Sequence, residues 1–136
     1  MAQELRKGRH VVSALHAHIV FVPRYRRKVF DADALGKLHR IFRVVCADFE
    51  TDIAEFNGEA DHVHLLVKYP PKVALSGLVN SLKGVSSRRL RQERPDIARK
   101  YWAGGLWSAS YFVGSVGGAP ISVLRAYIEN QNAPTA

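Results

Sequence analysis

The apolar residues of this chain repeat at spacings of 2.0 and 3.6 residues in a fixed order, and few folds accept that order. SALHAHIVFVPRY alternates as a strand, with Leu15, Ala17, Ile19 and Phe21 on one face. Pro23 demotes its end to an edge or exit. Asp31 is placed to cap a helix running to about Thr51, where Leu35, Leu38, Ile41, Phe42, Val45 and Phe49 recur with helical period. Ile53 to Asn57 reads as a short strand, Gly58 as a turn, and VHLLVKY as the next strand. A second helix is expected from about Val73 to Gln92, ended by Pro95. Ser108 to Gly118 reads as a last strand, and Pro120 opens a final helix, ISVLRAYIENQ. Strand, helix, strand, strand, helix, strand is the order of a split βαβ sandwich. The fold class expected is therefore α+β: a ferredoxin-like antiparallel sheet with two helices on one face, plus an extra C-terminal helix. At 136 residues without a linker, repeat or low-complexity tract, residues 1–136 suit one domain.

Charge narrows the partner. The net charge is +8, and it is segregated along the chain. Arg24, Arg26, Arg27 and Lys28 fall within five residues, and Lys83 to Lys100 holds seven basic residues. Six of the 12 acidic residues crowd into Asp48 to Asp61. Such clustering points to a polyanion, most simply nucleic acid. Cys46 is the lone cysteine, which excludes an internal disulfide and a Cys-x-x-Cys zinc pair. The apolar runs are too short to cross a bilayer, so no membrane partner is expected. The first residues, MAQELRKGRH, lack the apolar core of a signal peptide, which favours a cytoplasmic protein.

The chemistry is concentrated in DHVHLLVKY and YIENQ. On a strand, His62, His64, Leu66 and Lys68 share one face, and Val63, Leu65, Val67 and Tyr69 the other. The apolar set would pack on the helices, leaving both imidazoles free to approach one metal ion. That spacing alone is weak, since His16 and His18 repeat it on another strand. Tyr127 and Gln131 lie four apart on one face of the last helix, beside the apolar stripe Ile121, Leu124 and Ile128. A glutamine oxygen is a fitting third ligand for magnesium or manganese. An amphipathic terminal helix with Tyr127 packed at its edge is an equally good reading of the same residues.

The chain resembles the single-tyrosine HUH transposases of small bacterial insertion sequences. The resemblance rests on FVPRYRRKVF, DHVHLLVKYPP, SLKGVSSRRLRQERP, LWSASYFVGSVGG and YIENQ in this order. Ala60 and Ala109 stand where the family tends to have proline. The resemblance implies a metal-dependent single-stranded DNA transposase. Tyr127 would be the nucleophile, leaving a 5′-phosphotyrosine, and His62, His64 and Gln131 the metal ligands. It implies recognition of hairpins at transposon ends, and a homodimer whose active sites are shared between subunits. The general base stays open between Asp61 and water. Arg24, Arg26, Arg27, Lys28, Lys83, Arg88, Arg89 and Arg91 are the residues expected to bind DNA. Tyr25, Tyr69 and Tyr111 are candidates to stack on bases, whereas Trp107 reads better as core. A domesticated repeat-processing relative, a replication initiator with the same chemistry, a non-catalytic ferredoxin-like nucleic-acid-binding module and a small-ligand regulatory domain are the rivals. The single tyrosine argues against the initiator, and the basic excess against the last.

Overall fold

The structure, a computed structural model, describes residues 6–7, 12–13, 15–101, 104–115 and 127–130. Two short strands, β1 (Arg6–Lys7) and β2 (Val12–Ser13), pair with each other ahead of the main sheet. They are followed by β3 (Leu15–Phe21), α1 (Ala32–Asp48), β4 (Asp52–Glu59), β5 (His62–Tyr69), α2 (Leu75–Glu93), α3 (Pro95–Lys100) and β6 (Phe112–Ser115). The main sheet runs β4-β5-β3-β6, and every neighbouring pair is antiparallel. Consecutive β4 and β5 form a hairpin at one edge, while β3 and β6 come together from distant parts of the chain. This is the expected split βαβ arrangement.

Alternation decides which face is covered. Ala17, Ile19 and Phe21 of β3 and Val63, Leu65 and Val67 of β5 are fully buried, in one cluster with Leu38 and Phe42 of α1 and Leu78, Val79 and Leu82 of α2. Each fully buried large apolar side chain contributes about 1.5–3 kcal/mol. Asp31 caps α1 as expected, its side chain accepting from the Ala34 N–H at 2.9 Å. Trp107 belongs to this core, donating from Nε1 to the buried Ser86 Oγ at 2.8 Å.

Several boundaries differ from the sequence reading. Gly58 lies inside β4 rather than in a turn, which falls at Ala60 and Asp61. A Cβ at Gly58 would stand 2.5 Å from Leu35 Cδ2, so glycine here lets α1 lie close on the sheet. Pro95 ends α2 as expected and also opens a further helix, α3, because its missing N–H costs nothing in the first turn. The expected last strand begins at Phe112 rather than Ser108 and is described as far as Ser115, and of the final helix residues 127–130 are described as helical. Ile121, Leu124 and Gln131 lie outside the described residues.

Candidate active site

The sheet face away from α1 and α2 carries the two histidines. Register places Asn57, His64, Val20 and Phe112 in one row across β4, β5, β3 and β6. Glu59 stands opposite His62, and His18 opposite Leu66. Val20 and Val22 on this face are nonetheless buried, because Phe112, Tyr127 and Ile128 pack on them. The tyrosine segment thus docks on the open face of its own chain's sheet. A cavity of about 740 Å³ lies beside it, lined by His18, Glu55, His62, His64, Ile128 and Glu129 among others.

Each histidine is held by a different partner. His62 Nδ1 is 3.0 Å from Asp61 Oδ1. A carboxylate accepts, so Nδ1–H donates and the lone pair of Nε2 is left for a ligand. His64 Nε2 is 2.8 Å from His18 Nδ1, and the two rings stack at 4.9 Å. If His64 is the donor, its Nδ1 keeps a free lone pair. Burial, and then the adjacent His18, push the proton affinity of His64 below the ordinary imidazole value, which favours the neutral, ligating form. Two imidazoles on one face suit a divalent transition-type or manganese-like cation. Among the described residues no third histidine, cysteine or carboxylate completes a ligand set. Gln131, the expected third ligand, lies outside them. His18 is the residue that sequence reasoning missed. Its spacing with His16 was visible, but only strand register brings it against His64.

Tyr127 packs its ring on Phe112 at 5.6 Å, and its hydroxyl donates to Ser110 Oγ at 3.4 Å. It is not among the described lining residues of the histidine cavity, whereas its neighbours Ile128 and Glu129 are. Phe112 and His64 are two strands apart, roughly 10 Å. Burial raises the phenol's pKa above its ordinary value, only partly offset by Ser110, so the hydroxyl is protonated near neutrality.

The basic residues divide by their contacts. Arg24 donates to the Gly104 carbonyl and Arg27 to that of Lys100. Lys83 donates to the carbonyls of Ser108 and Ala109, and Arg91 to those of Ser87 and Tyr101. Arg89 approaches Glu93 at 3.9 Å. Lys28 and Arg88 are exposed. Arg26 turns inward, towards Asp61 and the tyrosine segment. Of the aromatic candidates, Tyr25 and Tyr111 are exposed, and Lys83 lies 5.4 Å over the Tyr111 ring. Tyr69 packs against the core instead.

Comparison with known proteins converges on one family. The family model described as "Transposase IS200 like" matches residues 11–131. The ISDra2 transposase TnpA of Deinococcus radiodurans is 33% identical over 95% of this chain and 92% of its own length. The transposase for insertion sequence element IS200 of Salmonella typhimurium is 35% identical over 84% of this chain and 74% of its own. A crystal structure of a candidate transposase from Deinococcus radiodurans superposes with a TM-score of 0.87 at 31% identity, covering 94% of this chain and 98% of that one. A REP-associated tyrosine transposase bound to a REP hairpin shares the fold, with a TM-score of 0.56 at 12% identity over 91% of this chain and 68% of its own.

Proposed function

Because the chain belongs to the IS200-like transposase family, we propose that it cuts and rejoins single-stranded DNA at the ends of an insertion sequence through Tyr127. One observation carries the reading: the segment holding the only tyrosine of the last helix lies against the same cavity as His62 and His64.

Tyr127 Oη attacks the phosphorus of a DNA phosphodiester. The bond from phosphorus to the 3′-oxygen breaks, that oxygen leaves as a 3′-hydroxyl, and the 5′-phosphate stays on the tyrosine. The phosphotyrosine conserves the diester, so a 3′-hydroxyl from another strand can attack it and regenerate the phenol. Since burial keeps the phenol protonated, its proton must leave as the new bond forms. Release from Ser110 and rotation towards the histidine cavity would present the oxygen. His62 and His64, with Gln131 as the proposed third ligand, would hold a magnesium or manganese ion that neutralises charge on the phosphate. Asp61 fixes the ring of His62 for that task.

The DNA partner fits the charge of +8. We assign hairpin-bearing single-stranded DNA as the substrate, with the exposed Lys28 and Arg88 best placed on the surface to meet phosphates. A homodimer with shared sites is proposed from the family resemblance. The face that receives this chain's own tyrosine segment would equally receive a partner's. A bacterial cytoplasmic setting accords with the DNA substrate; no described helix is long and apolar enough to cross a membrane.

A nicking assay tests the proposal. With magnesium or manganese, the protein should nick a labelled hairpin-bearing single strand and remain on its 5′ end. His62→Ala and His64→Ala should abolish nicking, and His16→Ala should not. Mixing Tyr127→Phe with His64→Ala chains should restore it if sites are shared. Tight binding without any nicking would leave a non-catalytic binding module.

A further inference from the structure

We propose that Arg26 is a positioning residue that ties the helix of Tyr127 to the histidine strand, and so sets where the phenol sits relative to His62. The inference rests on the catalytic role assigned to Tyr127. It replaces the expectation that Arg26 binds DNA phosphate.

The backbone makes the first argument. Tyr25 and Arg26 have φ of 63° and 47°, both in the left-handed region that side chains disfavour. Such strain persists only where surroundings over-determine it, and it gathers at functional sites. Here the turn is pinned on both sides. Arg24 N–H donates to the Leu106 carbonyl at 2.9 Å, Arg26 N–H to that of Pro23 at 2.9 Å, and the Tyr101 hydroxyl to that of Arg24 at 3.3 Å. A relaxed turn would aim the Arg26 side chain elsewhere.

Its aim is specific. Nη1 donates to the carbonyls of Ile128 and Glu129, at 3.4 Å each. Nε is fully buried and stands 3.3 Å from Asp61 Oδ2, a charge contact short of hydrogen-bond geometry. The other Asp61 oxygen holds His62 Nδ1 at 3.0 Å. The path from helix to ligand therefore runs through one guanidinium and one carboxylate. Arginine suits this place because its rigid planar fork carries donors on two sides; lysine offers a single point charge. A phosphate-binding side chain would present these donors to solvent, and Arg26 is only 24% exposed.

Hydrogen exchange on the full chain without DNA reads the tie directly. Arg26→Ala and Arg26→Lys should each speed exchange of the amides in residues 127–130 by about tenfold, with α1 and α2 unchanged. With saturating hairpin DNA, the same variants should form covalent adduct at least about tenfold more slowly, while DNA affinity and its salt dependence hold. Unaltered exchange at 127–130 overturns the tie whatever the activity. Adduct formation unchanged at saturation, with a salt slope lowered by about one, makes Arg26 a phosphate contact instead. Faster exchange in a protein whose wild type forms no adduct would sink the catalytic reading while leaving the contact in place.

Discussion

Asp61 sits at the centre of the site's polar contacts, with one oxygen on His62 and the other beside Arg26. Because a carboxylate accepts, the first contact favours the His62 proton on Nδ1 and leaves the lone pair on Nε2. Asp61→Asn should therefore weaken binding of manganese by about 10–100-fold, as measured by calorimetry, because an amide holds the imidazole proton less firmly. Unchanged affinity would mean that Asp61 serves only the turn it occupies. His62 and His64 were legible in the sequence because strand alternation alone sends both to one face. His18 was not, since its meaning depends on which residue of β5 it meets. Arg26 was legible as a charge, but its contacts with Asp61 and with the carbonyls of Ile128 and Glu129 were not. Nothing in RYRRK reveals that two successive residues adopt positive φ.

The elements show how the sheet was readable and its edges were not. Period and capping placed α1, β5 and the core face of β3 correctly, because burial on one side fixes register. Gly58 looked like a turn because glycine most often marks one. Its role is close approach, which only the packing of Leu35 exposes. Gly58→Ala should cost about 1–2 kcal/mol in urea denaturation, and adding Leu35→Ala should cost less than the two singles summed. Arg94 joins the starts of α1 and α3 through Asp31, Asp33 and Asp96. Its hydrogen bonds hold the carboxyls of Asp31 and Asp96 down at about 2, below the ordinary 3.8. A depressed carboxyl stabilises the fold above its unfolded value, and that contribution is lost as pH falls from about 4 to 2. Arg94→Ala should accordingly lower the melting temperature at pH 7 but make little difference near pH 2. A difference that persists at pH 2 would show that packing, not charge, carries the effect.

For the whole molecule, the ferredoxin-like sheet separates two tasks. One face is spent on α1, α2 and the aromatic core of Phe21, Phe42 and Trp107. The other is left to the histidines and to the segment that carries Tyr127. The proposed chemistry requires the Tyr127 phenol, docked on Phe112 and Ser110, to turn towards the cavity that holds the two imidazoles. The most direct measurement is mass spectrometry of the protein after it has cleaved a hairpin-bearing single strand and been digested. The account predicts a nucleotide attached through its 5′-phosphate to the peptide containing Tyr127, and none in the Tyr127→Phe variant. A nucleotide on any other residue, or one linked through a 3′-phosphate, would contradict it.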